Sequence, residues 1–190
     1  MTAMCLADGS FMNHLVSYRD SGPNASGDDM AEPNLGLFDN ERETNLVSTT
    51  AMIEDVLVEL GHFINNCRVE QAGAIKAWRF KNGSAEVLLA LVDAEDFVHL
   101  RAACSVMTLA DGVDRAALFT RLLELNESKL CGAAFGLKSN QIRLVAERST
   151  RDLDRSEVYT LVANLQQYAD DYDDQLVSDF GGTLGGPALI

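Results

Sequence analysis

Between Ile75 and Met107 the chain reads as strand, turn, strand, turn, strand, and this stretch constrains the fold more than any other. Ile75 to Phe80 is followed by Lys81-Asn82-Gly83-Ser84 and then by Glu86 to Val92. Asn-Gly between two apolar runs is a strong local hairpin signal, because both residues tolerate positive φ. Asp93-Ala94-Glu95-Asp96 supplies the next turn, and Phe97 to Met107 then alternates. Val98, Leu100, Ala102, Cys104 and Val106 fall on one face, and His99, Arg101 and Ser105 on the other. Strands joined by hairpins pair antiparallel, and alternation marks a sheet covered on one side. Cys67 to Gln71 precedes them as a short further strand, and Ala133 to Leu137 with Gln141 to Glu147 forms another hairpin around Lys138-Ser139-Asn140.

Three helices frame these strands. Ile53, Val56, Leu57, Leu60 and Ile64 repeat on one helical face, so a first helix is expected over 48–64 with Ser48, Thr49 or Thr50 as its cap. The last helix opens on a capping box, Asp154 to Glu157, and carries Val158, Leu161, Val162, Leu165, Ala169, Tyr172, Leu176 and Phe180 on one face until Gly181-Gly182 ends it. The middle helix, expected over 112–128 with Asp111 as its cap, differs from both. Leu118, Leu122 and Leu125 form one apolar stripe, and Ala116, Phe119 and Leu123 form a second, with Arg115 and Asn126 between them. A surface helix needs one stripe, so the second calls for a cover from this chain or from another. The predicted order, α-β-β-β-β-α-β-β-α, defines an α+β fold rather than a parallel nucleotide-binding sheet.

The ends differ from the middle. Residues 1–45 hold eight acids and two bases, 151–190 hold the same numbers, and the middle keeps 13 acids and 11 bases. Ser17 to Asn34, crowded with Gly, Pro, Ser, Asn and Asp, cannot bury enough apolar surface to offset chain entropy. Residues 1–45 are therefore expected to be a flexible acidic arm, 46–182 the folded domain, and 183–190 a fraying tail. The net charge of −14 opposes binding to phosphate backbones, so no nucleic-acid partner is expected. No apolar run is long enough to span a bilayer, and the first twenty residues lack a secretory signal, which points to a cytoplasmic chain without a membrane partner.

Catalytic and ligand-binding signals are absent. Cys5, Cys67, Cys104 and Cys131 form no CxxC pair, so neither a disulfide framework nor a zinc site is expected, and Cys67 and Cys104 read as small core residues. His14, His62 and His99 are scattered, and the cluster Asp170, Asp171, Asp173 and Asp174 lacks the glycine and terminal glutamate of a calcium loop, reading as a solvated helix face. Trp78 reads as core. No cofactor, metal or catalytic residue is assigned. A small-molecule or metal-responsive sensor, with His99, Cys104 or the aspartates as ligands, is the alternative function.

The strings LLELN (122–126), GAAFGL (132–137), QIRLVAE (141–147), RDLD (151–154) and YADDYDDQLVSDFGG (168–182) are similar to YbjN-type proteins. They equally resemble the CesT-like class I type III secretion chaperones, which share that fold. The likeness spans roughly 46–182. It implies an antiparallel sheet with helices on one side, bacterial origin, and a non-enzymatic chaperone-like or adaptor domain that holds a protein client and forms a homodimer. Class I chaperones dimerise through the helix corresponding to 112–128, which places Ala116, Phe119 and Leu123 at a dimer or partner interface.

Overall fold

The computed structural model describes residues 35–82, 85–94 and 97–188. The expected arm up to residue 34 lies outside the described residues. Helix α1 (Leu35–Glu59) leads through a single turn, α2 (Ile64–Cys67), to strands β1 (Arg68–Val69), β2 (Ala74–Asn82), β3 (Ala85–Asp93) and β4 (Val98–Thr108). Helix α3 (Arg115–Ser128), strands β5 (Ala134–Lys138) and β6 (Gln141–Ser149), helix α4 (Arg155–Phe180) and strand β7 (Thr183–Leu184) follow. All strands belong to one antiparallel sheet in the order β1-β2-β3-β4-β6-β5, with β7 paired to β4. The α+β class read from the hairpins holds.

The helices share one face of the sheet. Ile53, Val56 and Leu57 from α1, Leu118, Leu122 and Leu125 from α3, and Val158, Val162, Leu165 and Leu176 from α4 pack with Trp78, Leu89, Leu100, Cys104 and Leu144 in the main core. A smaller cluster lies on the other face, where Ala77, Leu88, Ala90, Val92, Ala103 and Ala188 are buried together. Side chains alternate across a strand, so the two clusters interleave along β2, β3 and β4.

Hairpin registers follow the turn chemistry. Asn82 pairs with Ala85, so it is the last residue of β2 rather than the centre of the turn. Lys138 pairs with Gln141, which leaves Ser139 (φ 48°) and Asn140 (φ 67°) as a two-residue loop with positive φ at both positions, matching the twist of the flanking strands. Asp154 caps α4 through the expected capping box with Glu157. The cap of α3 is Asp114, not Asp111, and its carboxylate accepts from the amides of Ala116 (3.1 Å) and Ala117 (3.0 Å).

Four sequence expectations are corrected. Helix α1 begins at Leu35, so 35–45 are helical, and Ser48 and Thr50 lie inside it, with their hydroxyls donating to the carbonyls of Asn45 (3.0 Å) and Leu46 (2.7 Å). Cap-forming residues can bond back along a helix that already exists. Cys67 closes α2, and the first strand is only Arg68–Val69. Asp173 is buried against the core side of α4, whereas Asp170, Asp171 and Asp174 are exposed. The tail up to residue 188 lies against the sheet: Thr183 and Leu184 pair with Thr108 and Met107, the amide of Gly185 donates to the carbonyl of Val106 (3.0 Å), and Ala188 is fully buried. Strand β4 is longer than the stretch β3 covers, and the leftover edge takes up the tail.

Cys67 and Cys104 are buried as expected, and burial pushes both thiols up, Cys104 to about 12. Cys131 is exposed. The thiolate is the nucleophile, so in a Cys5→Ser background one thiol, Cys131, should react rapidly with a disulfide reagent at pH 8. Cys67 and Cys104 should react only with unfolding, and an early second equivalent would contradict their placement.

Candidate protein interface

Helix α3 presents its two apolar stripes to different surroundings. Leu118, Leu122 and Leu125 are buried in the main core. Phe119 is half-buried against the edge of that core, Ala116 is exposed, and Leu123 is 68% exposed. The second stripe therefore has no full cover within the described residues.

The two polar residues between the stripes tie the helix to the β5–β6 hairpin. The carboxamide of Asn126 accepts from the amide of Phe135 (2.7 Å) and donates to the carbonyl of the same residue (3.3 Å). Arg115 donates to Oδ1 of Asn140 (2.6 Å), whose own Nδ2 donates to the carbonyl of Leu109 (2.7 Å). Phe135 lies on β5, the last strand of the sheet, so Asn126 occupies the backbone groups that an edge strand otherwise leaves open. These two anchors run α3 antiparallel to β5. Leu137, two residues beyond Phe135 on the same face of β5, is 49% exposed. The outer stripe of α3 and Leu137 are thus exposed apolar residues of two neighbouring elements at the sheet edge.

A second apolar surface lies at the other end of the sheet. Val47 and Val58 on the outside of α1 are 66% and 58% exposed, and Phe63, in the turn after α1, is 80% exposed. Gly61, His62, Phe63, Ile64, Asn65 and Val58 line an open hollow there. His62 stacks on Phe80, ring centroids 4.6 Å apart, and burial holds its pKa below the ordinary value. Sequence periodicity missed this surface because Phe63 belongs to a loop and to neither helical face.

The residues considered as sensor ligands do not converge. His99 lies on the face opposite the helices, where it shares Glu147 with Arg101, whose guanidinium donates twice to Oε2 (2.7 and 2.9 Å). Burial alone would raise the Glu147 carboxyl, but the hydrogen bonds from Arg101 and His99 prevail and hold it below the usual range. Cys104 lies on the helix face, close enough to Asp173 that the carboxylate adds to the upward push of burial on the thiol. Among the described residues no three His, Cys, Asp or Glu side chains are grouped to hold a metal ion, and no helix is long and apolar enough to cross a membrane.

Known structures share this architecture. A chain of the HopA1–SchA chaperone–effector complex matches with a TM-score of 0.51 at 14% identity, covering 70% of this chain and 97% of that one. A chain of the ExsC–ExsE complex matches with a TM-score of 0.51 at 15% identity, covering 68% and 94%. At such identities the likeness defines the fold, that of the type III secretion chaperones. No curated protein matches the chain in sequence. The family profile described as T3SS (YopN, CesT) and YbjN peptide-binding chaperone 1 matches residues 48–185, and the chain belongs to that family. The resemblance read from 122–182 is thereby established.

Proposed function

We propose that this chain is a non-enzymatic, chaperone-like peptide-binding module that works as a homodimer, holding a segment of a client protein in a reducing, cytoplasmic setting. Membership of a peptide-binding chaperone family supports the client. A chaperone–effector complex among the structural neighbours is in keeping with it. The observation that carries the dimer is the exposure of Leu123, 68%, beside a β5 edge that Asn126 already caps. An outer stripe of Ala116, Phe119 and Leu123 on an ordered helix suits the axis of a symmetric pair, because the same patch serves both copies. Fully burying a large apolar side chain contributes roughly 1.5–3 kcal/mol, and a two-fold axis counts each contact twice.

Light scattering on the full chain tests the dimer. The expected mass is twice 20.7 kDa, falling to a single chain for Leu123→Asp with unchanged far-ultraviolet circular dichroism. Leu123 is a cleaner probe than Phe119, which also packs against the core. A monomeric wild type would overturn the dimer, and an unchanged mass for Leu123→Asp would remove α3 from its interface. The Val58–Phe63 surface is then left for the client, away from α3 in the sheet order.

A further inference from the structure

The segment after α4 holds itself in place with very little. Gly181 (φ 81°) and Gly182 (φ 106°) turn the chain back toward β4. Thr183 and Leu184 then pair with the part of β4 that β3 does not reach, opposite the β6 side. Gly185 follows with its backbone pressed on β4, where a Cβ would overlap the carbonyl of Ser105. Beyond it the chain crosses to the face away from the helices. There Ala188 is fully buried among Ala77, Leu88, Ala90 and Ala103, and its carbonyl accepts from Nη2 of Arg79 (3.4 Å). Thr183, Leu184 and Pro187 are exposed, so Ala188 is the one residue from 183 to 188 that is buried.

Two paired residues, the hydrogen bonds of the Gly185 amide and the Ala188 carbonyl, and one buried methyl group make a contact far weaker than the rest of the sheet. Such segments open locally at a small fraction of the global unfolding free energy. When this one lifts, it uncovers unpaired backbone of β4 between Ser105 and Thr108 and the apolar strip around Leu88, with Arg79 at its rim. Open strand edge next to an apolar strip is the setting in which an added extended peptide binds, backbone first and alternate side chains second.

We propose that this seat is a second polypeptide-binding site, occupied at rest by residues 183–188. Its partner is an extended client segment with glycine over Ser105 and a small apolar residue three positions on, the pattern of Gly185 and Ala188. The resident segment sets the threshold, since apparent affinity for an incoming segment is scaled by the fraction of molecules in which the seat is empty. The site lies on the face opposite α3, so it stands whether or not α3 forms a dimer, and chain mass and peptide binding are separate readouts.

The test uses the full chain carrying Gly185→Val, whose own tail cannot seat, and a fluorescein-labelled decapeptide of residues 181–190 followed by anisotropy. The Gly185→Val chain should bind the decapeptide saturably and at least about tenfold more tightly than wild type. A decapeptide carrying the same Gly185→Val change should not bind. Equal binding by the two chains, equal binding of the two peptides, or no saturable binding by a Gly185→Val chain with wild-type circular dichroism would overturn the proposal. Should that chain lose its helical signal, Ala188→Lys serves instead. It removes the buried methyl anchor and drives a cation against Arg79, which loosens residues 183–188 from the seat, and it should raise decapeptide affinity in the same way. No gain in that variant would equally overturn the site.

Discussion

Trp78→Ala is expected to cost roughly 3–5 kcal/mol of stability, the largest loss from any single truncation considered for this chain. Trp78 is 1% exposed at the centre of the main core. Beyond its volume, its indole N–H donates to Oε1 of Glu54 on α1 (3.1 Å), and Arg68 of β1 donates to both oxygens of the same carboxylate (2.8 and 2.7 Å). One carboxylate thus joins a helix to two strands. The hydrogen bonds from Arg68 hold its pKa below the ordinary value against the opposing effect of burial. A lowered carboxylate pKa contributes stability that is present in full above the unfolded value, about 4.3, and is lost as pH falls through the folded value. Denaturant titrations followed by circular dichroism should therefore show the full loss for Trp78→Ala and about 1–2 kcal/mol for Trp78→Phe, which keeps an aromatic ring but drops the donor. Glu54→Gln should flatten the acid limb of wild-type stability. A loss for Trp78→Ala below about 1.5 kcal/mol would mean that the ring is not packed as described.

Asn45→Ala should be the second largest change, about 2 kcal/mol, and its effect should be concentrated in the first half of α1. The Asn45 carboxamide donates to the carbonyl of Thr150 (3.0 Å) and accepts from its hydroxyl (2.7 Å), and Thr150 is 1% exposed. The same hydroxyl lies 2.8 Å from the carbonyl of Val98, to which the amide of Thr150 also donates (2.9 Å). Removing the carboxamide takes the shorter of two hydrogen bonds from the Thr150 carbonyl, leaving the longer one from the amide of Leu153 (3.4 Å), and takes a partner from the buried Thr150 hydroxyl as well. The ion pair of Arg42 with Asp93 is a further tie in this region, and exposed pairs contribute little. Helical circular dichroism should fall in Asn45→Ala. A double-mutant cycle with Thr150→Val should return a coupling of about 1 kcal/mol or more, and additive losses would show that the two side chains act independently.

The same residues explain which parts of the fold were legible beforehand. The strands between Ile75 and Met107, the Ser139-Asn140 turn and the Asp154 capping box are encoded locally, by alternation and by residues with special backbone or capping chemistry, and all appear close to their expected bounds. The outer stripe of α3 was likewise visible, because 3.6-residue periodicity registers a helix face whether or not it is covered. The first half of α1 was not. Between Leu35 and Val47 there is no sustained apolar rhythm, and the helix is anchored instead by Asn45 and Arg42 through partners roughly 50 to 100 residues away, a tertiary contact that local pattern does not carry. The tail was missed for a related reason. Its hold depends on backbone pairing and on the missing side chain of Gly185, and a glycine-rich string reads as a chain terminus unless the strand it lies against is known. Phe63 escaped notice because it stands in a loop, where no helical or strand repeat marks it.

The carboxamide of Asn126 has a consequence for assembly. By engaging both backbone groups of Phe135 it stands in for a neighbouring strand, so β5 cannot template further strands at that position. The opposite margin is built differently: β1 pairs with only two of the nine residues of β2. Among the described residues the two borders therefore differ, one shielded by a side chain at β5 and the other only partly paired along β2. A shielded margin of this kind keeps copies of the chain from stacking strand upon strand into fibrils at β5.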